Sequence, residues 1–242
     1  MRRFVGVDAL IDPPYMQPGF INGSMWASTP TEFSENVHFA FIILHLPERN
    51  FMRLILASGS PRRKELLGLF GVPFTVHPAD IDETMDPAWS AFDEVARLSR
   101  EKALAVPREK DDLVIAADTI VVCEGKVLGK PHTTVEAREM LTLLSGRDHQ
   151  VMTGCTVLRG SIAETFTEVT DLHFRPLSRK EIDRYIATGE PMDKAGAYGI
   201  QGGAALFCER MVGDYYNVMG LPVCRLGQVL RKIAPEIMED TQ

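Results

Sequence analysis

Positive charge is in short supply in this chain. Its 242 residues carry 26 Lys and Arg against 33 Asp and Glu, a formal net charge of −7. A protein that grips a nucleic-acid backbone must neutralise many phosphates, so nucleic acid is not an expected partner. One small anion can still bind where a few basic residues gather. Cysteine is scarce as well: Cys123, Cys155, Cys208 and Cys224 are all there is. No two of them form C-x-x-C, and none stands at zinc-site spacing with a histidine. A disulfide framework is not expected at this size, so a reducing cytoplasm is the expected location. Long apolar runs are missing too. The stretch Val37 to Leu46 is about half of a bilayer span and lies behind Asp8 and Asp12. Neither a membrane segment nor a secretory leader is expected. The phosphate loop G-x-x-x-x-G-K-[ST] is also absent. The histidines His38, His45, His77, His132, His149 and His173 are scattered, and none is assigned to catalysis.

What remains is an ordinary globular composition, 45% hydrophobic and 24% charged, on a length that suits one α/β domain or two joined lobes. The first fifty residues differ from the rest. Pro13, Pro14, Pro18 and Pro30, with Gly19, Gly23, Ser24 and Ser28, supply turn chemistry without periodicity. Residues 1–51 are therefore expected to be an extension, disordered or arising from an upstream start. A helix or strand around Phe39 to Leu46 is the other possibility. Residues 52–242 are expected to form the globular domain.

From Met52 the pattern is regular. Leu54-Ile55-Leu56-Ala57 reads as a buried strand. A helix capped by Ser60 follows, with Pro61 at its first position and Gly71 as its stop. Phe74 to Val76 reads as a strand. Asp86-Pro87 opens a helix with Phe92, Val95, Leu98 and Leu104 at helical spacing. Leu113 to Cys123 is a strongly apolar strand, turned by Glu124-Gly125 into Lys126-Val127-Leu128. A helix is expected over Thr134–Leu144, then long strands near 150–158 and 164–175. Ser178 with Glu181 is a capping box. Strands are expected near 205–210 and 216–219, and a last helix from Pro222. This alternation predicts α/β architecture: a mixed β-sheet with flanking helices.

Three segments carry chemistry. The first is Ser58-Gly59-Ser60-Pro61-Arg62-Arg63. A helix N-terminus has unpaired N–H groups and prefers acidic side chains, yet this one has two arginines. An anion is the simplest compensation, met by backbone N–H groups, the hydroxyls of Ser58 and Ser60 and two guanidinium forks. A solvated basic turn is the other reading. The second is Asp118, which interrupts an apolar run. A buried carboxylate needs a partner or a metal, and at a strand's carboxyl end it can bind Mg²⁺ or take a proton from water. A structural aspartate bonded to backbone remains open. Lys130, just beyond the hairpin, can reach a phosphate or be solvated. Asp82 and Glu83 can join a metal site or be mere surface. The third is the run Asp193 to Gly203, rich in glycine. It allows close approach to a ligand, or makes a tight structural connection. Within it Lys194 can offer charge, Gln201 can read an amide-like base edge, and Tyr198 can stack on a base or pack in the core.

These segments, in this order, resemble the Maf family of nucleotide pyrophosphatases. Ser58 to Leu67, Ala117-Asp118-Thr119-Ile120-Val121 with Gly129-Lys130-Pro131, Ser145-Gly146 with Val151 to Gly154, and Lys194 to Gly202 carry the likeness. The helix Arg97 to Ala103 also fits, and nearly all of residues 52–242 are covered. The resemblance implies an elongated α/β fold with two lobes around a cleft. It implies hydrolysis of a nucleoside triphosphate to the monophosphate and pyrophosphate, dependent on Mg²⁺ or Mn²⁺. Asp118 is then the general base and a metal ligand, with Glu83 as a second ligand. Arg62, Arg63, Lys102, Lys130 and Lys194 balance phosphate charge. The combination of Arg62, Thr119 and Gln201 resembles the dTTP/UTP branch. Two alternatives stay open: a pyrophosphatase for 7-methyl-GTP or inosine-type nucleotides, and a regulator of cell division and septum formation that binds nucleotide without turnover. A homodimer is compatible with the sequence.

Overall fold

The computed structural model describes residues 52–86 and 88–239. The expectation for residues 1–51 lies outside the described residues, as does Pro87. Among those described, one seven-stranded sheet runs in the order β2-β1-β3-β5-β6-β7, with β4 paired to β3 off that path. The strands are β1 Leu54–Leu56, β2 Phe74–Val76, β3 Leu113–Cys123, β4 Lys126–Leu128, β5 Asp148–Arg159, β6 Ile162–Phe174 and β7 Cys208–Val212. β1 is parallel to both β2 and β3. From β3 onward the pairing is antiparallel. This is the mixed sheet with flanking helices that the alternation implied.

The apolar run in β3 faces both ways, as a strand buried on two sides must. Leu113, Ile115 and Ala117 join one cluster with Leu66 and Leu67 of α1 (Pro61–Gly68), Leu141 and Leu144 of α3 (Thr134–Leu144) and Leu226 of α6 (Val223–Ile233). Val114 and Ala116 join another with Ala103 of α2 (Ala91–Ala105). Ile120 of β3 and Met152 of β5 meet Val95, also on α2. Helices thus cover both faces, and each fully buried leucine contributes about 1.5–3 kcal/mol. α1 connects β1 to β2 on one face. α2 connects β2 to β3 on the other. The chain therefore changes sides between β1 and β3, and a crevice opens at the carboxyl end of β1.

Some local expectations needed correction. Ser60 stands at the N-cap of α1, but its side chain makes no capping bond. α1 ends at Gly68, and Gly71 (φ 70°) closes the turn after it. α2 starts at Ala91, not at Asp86-Pro87, because Ser90 supplies the cap by accepting from the Asp93 N–H. Val95 and Leu98 of its apolar set are buried, whereas Phe92 and Leu104 are exposed. The stretch expected as a strand near 216–219 is a helix, α5 (Tyr215–Met219). Asp214 caps it through the Tyr216 N–H, and Gly220 at φ 112° ends it. The capping box of Ser178 and Glu181 opens α4 (Arg179–Ile186) as expected. Ala205 belongs to a 3₁₀ turn before β7, and a short α7 (Pro235–Glu239) follows α6.

Candidate active site

A cavity of about 870 Å³ lies at the crevice. Ligand pockets commonly span roughly 300–1,000 Å³. The residues singled out in the sequence line it: Ser58, Ser60, Arg62, Arg63, Asp82, Glu83, Lys102, Asp118, Thr119, Lys130, Lys194, Tyr198 and Gln201. What each can offer a ligand depends on the partners it already has.

Asp118 and Thr119 are neighbours on β3, so their side chains point to opposite faces of the sheet. β3 runs five residues past Asp118, which is thus mid-strand and not at the strand's end. β1 pairs only as far as Ile115, so Asp118 sits just beyond β1. On the α2 face, Lys102 donates from Nζ to Asp118 Oδ1 at 2.5 Å and pairs with Glu83 Oε1 at 2.8 Å. Asp118 and Lys102 are buried, while Glu83 is exposed on its loop. That loop is tethered to α2. Arg97 donates to the Thr84 carbonyl, and the buried carboxylate of Glu94 accepts from the Asp86 N–H. Hydrogen bonds from Arg97 hold the Glu94 carboxyl below the usual range. Oδ2 of Asp118 has no protein partner among the described residues, so it is the oxygen that can meet water.

On the α1 face, Arg63 is committed to the protein. Nε donates to the Gly220 carbonyl at 2.8 Å, Nη1 to Ser58 Oγ at 3.1 Å and Nη2 to Thr119 Oγ1 at 2.9 Å. Burial lowers its pKa, partly opposed by the charge of Asp118. The expectation of two free guanidinium forks is therefore corrected to one. Arg62 is the more available, tied among the described residues only to Asp193, at 3.6 Å. The hydroxyl chain beneath has a fixed direction. Thr153 Oγ1 donates to the Asn217 carbonyl at 3.0 Å, so it must accept from Thr119 Oγ1, also 3.0 Å away. Thr119 accepts from Arg63 and can offer a ligand only an acceptor. Ser58 is the reverse. Its oxygen accepts from the Ser60 N–H and from Arg63, leaving its proton to donate.

The glycine-rich run wraps around Glu190. Glu190 accepts from the Tyr185 hydroxyl at 3.0 Å and the Gly203 N–H at 3.0 Å, and Tyr185 accepts from the Gly199 N–H. A Cβ at Gly202 would come within 2.1 Å of a Glu190 oxygen, and one at Gly199 within 2.9 Å. The glycines at 199 and 202 thus make room for a carboxylate of the protein itself. Tyr198 is buried and hydrogen-bonded to His149 Nε2, so its ring packs in the core, and it also borders the cavity. Lys194 is held by the Glu190 carbonyl and Asp193 at 2.7 and 2.6 Å. Lys130 and Gln201 are exposed and have no hydrogen-bond partner among the described residues. Cys155 is inert, its thiol pushed up to about 12 by burial.

The model of the family described as "Maf-like protein" matches residues 53–233. The chain belongs to the Maf family. A protein of Halalkalibacterium halodurans named dTTP/UTP pyrophosphatase is 52% identical over 179 residues, covering 74% of this chain and 94% of that protein. One of Bacillus cereus with the same name is 47% identical over 194 residues, covering 79% and 96%. A solved HAM1 protein from Coxiella burnetii overlaps 75% of this chain and 99% of its own, with a TM-score of 0.44 at 15% identity. In this Maf-family chain, sequence reasoning missed Tyr185 and Glu190, and it gave no role to Asp193 and Thr153 within the segments it singled out. Glu190 stands beside the glycines in sequence, but nothing local signals that they pack on its carboxylate. Thr153 shows only as a polar residue in an apolar strand.

Among the described residues no group of three or more His, Cys, Asp or Glu is arranged to hold a metal. A Mg²⁺ ion needs no such group, since one or two carboxylates and substrate phosphates suffice. Glu83 and Asp118, which share Lys102 between them, fit that requirement.

Proposed function

We infer that this chain hydrolyses dTTP and UTP between the α and β phosphates, releasing the monophosphate and pyrophosphate. The observation that carries the reading is the half-identity to relatives named dTTP/UTP pyrophosphatase over almost their whole length. The cavity supports it, because the basic groups, the carboxylates and the glycine-rich run share one space. The catalytic unit is residues 52–242, and the family match over 53–233 supports that boundary. Four free cysteines suit a cytoplasmic setting. No helix among the described residues is long and apolar enough to cross a membrane.

Asp118 acts as the base. Before nucleotide binds, Lys102 holds Oδ1; Oδ2 takes a proton from the attacking water. The water oxygen bonds to the α phosphorus as the bond to the α,β-bridging oxygen breaks, and that electron pair leaves with pyrophosphate. Arg62, Lys102 and Lys130 oppose the charge that develops on the phosphates, and the Ser58 hydroxyl donates to a phosphate oxygen. Arg63 and Lys194 contribute mainly by shaping the walls and adding field. Thr119, as an acceptor, and Gln201, with donor and acceptor, suit the N3–H and O4 edge shared by thymine and uracil. Mg²⁺ or Mn²⁺, held by Asp118 and Glu83, would supply Lewis-acid charge at a phosphoryl oxygen.

A panel of dTTP, UTP, dCTP, 7-methyl-GTP and ITP, assayed for pyrophosphate with Mg²⁺ and with Mn²⁺, tests this. Release from dTTP and UTP is expected to lead. Preference for either purine would replace the substrate assignment, and no release from any of them would remove the enzymatic reading.

A further inference from the structure

Lys102 occupies the space a cation would take between Glu83 and Asp118. Its side chain is 8% exposed, and Nζ lies 2.8 Å from Glu83 Oε1 and 2.5 Å from Asp118 Oδ1. Neither carboxylate has another ion pair among the described residues. The ammonium is thus the counter-ion that lets these two negative groups stand close together in a partly buried place. A divalent ion bound by the same oxygens would have to sit at coordination distance, about 2.0–2.1 Å for Mg²⁺. It would then face the positive charge of Lys102 a few ångströms away. Both cannot hold the same oxygens.

Lys102 has somewhere else to go. It projects from the last turn of α2 into the cavity that also holds Arg62, Lys130 and the Ser58 hydroxyl. A polyphosphate there offers an ammonium new anionic partners within the reach of a flexible four-carbon stem. We infer that Lys102 is the resident counter-ion of the Glu83–Asp118 pair and keeps a divalent metal out until a polyphosphate draws its ammonium away. Metal and nucleotide then bind with positive coupling, each improving the affinity for the other by the same factor. The inference rests on the reading of the cavity as a triphosphate site.

The test is a titration of the full chain with Mn²⁺ at neutral pH, free Mn²⁺ being followed by its electron paramagnetic resonance signal. It is run without nucleotide and with α,β-methylene-dTTP, which cannot be cleaved at that bond. The native chain is expected to bind Mn²⁺ weakly alone and at least about tenfold more tightly with the analogue. Lys102→Met is expected to bind Mn²⁺ alone at least about tenfold more tightly than the native chain. Combining it with Asp118→Asn should abolish that gain. Lys130→Met removes a cavity lysine that touches neither carboxylate and should leave nucleotide-free Mn²⁺ affinity unchanged, which separates occupancy from net charge. Equal Mn²⁺ affinity of the native chain with and without the analogue overturns the inference. So does a folded Lys102→Met that binds Mn²⁺ no better than native, or an equal gain in Lys130→Met. Should Lys102→Met fail to fold, Lys102→Gln carries the same expectation. Pyrophosphate release from dTTP by the native chain tests the underlying reading separately, because the nucleotide-free titrations need no turnover.

Discussion

At the residue scale, the site is organised by which hydrogen-bonding capacity is already taken. In the nucleotide-free site Asp118 gives Oδ1 to Lys102 and keeps Oδ2 for water, so it is both anchored and reachable. Asp118→Asn keeps the shape and most of the packing but removes the base. A positioned general base is worth about 10²–10⁴-fold, so pyrophosphate release from dTTP should fall by at least about 100-fold, with an unchanged far-UV circular dichroism spectrum. Activity within a few-fold of native would move the base elsewhere. The residue types at this site were legible in the chain, because Ser58, Arg62, Arg63 and Asp118 are each out of place locally. An arginine at a helix start and a carboxylate in an apolar strand both demand an explanation. Their commitments were not legible. Arg63 finds Thr119 56 residues on and Gly220 157 residues on, and no local pattern encodes such partners.

At the scale of elements, α2 lies backbone to backbone against β5 at Gly154. Gly154 pairs with Asp118 across β3 and β5, on the face that α2 covers. A Cβ at Gly154 would lie 2.1 Å from the Val95 carbonyl oxygen and 2.7 Å from the Ala96 nitrogen. Both are backbone atoms in mid-helix, so no rotamer change relieves the clash and α2 must move as a body. Gly154→Ala should therefore destabilise by more than about 4 kcal/mol, in the exceptional tail for single substitutions. It should also displace Lys102, which rides on the same helix. Urea unfolding monitored by tryptophan fluorescence reads the first effect, and a loss below about 1 kcal/mol would mean that the helix is free to shift. Strands and helices with strong period were readable in advance, and β2, β3, β4 and α3 fall where the pattern put them. The failure at Tyr215–Met219 has a physical cause. Five residues are too few to show helical period, and aromatic and β-branched side chains favour strands by propensity, while the Asp214 cap and Gly220 decide for helix. The glycine-rich run was visible as unusual, but its packing around Glu190 appears only when α4 and the loop are brought together.

For the molecule as a whole, stability depends on pH through a buried histidine and through ion-paired carboxylates. His149 is buried between Phe174 and Tyr198, its Nε2 bonded to the tyrosine hydroxyl. Burial lowers its pKa from 6.5 to about 4. Between those two values the unfolded chain binds a proton at this position and the folded protein does not, so stability rises with pH across that window and is lost as pH falls. The displacement amounts to roughly 3 kcal/mol at most by pH 4. Carboxylates act in a lower window. Arg53 holds Asp112, Arg97 holds Glu94 and Arg175 holds Glu181 below their usual values, Glu181 at about 2. Their contribution is present above the ordinary carboxylate pKa and is lost only as pH falls through the lowered folded values. The two windows separate the causes. The urea midpoint of the native chain should decline between pH 6.5 and 4.5 and fall more steeply below about pH 4. His149→Gln, which has no titrating group but can still bond Tyr198, should flatten the first decline and leave the second. Parallel profiles for the two proteins from pH 6.5 to 4.5 would show that His149 does not hold its neutral form in the fold.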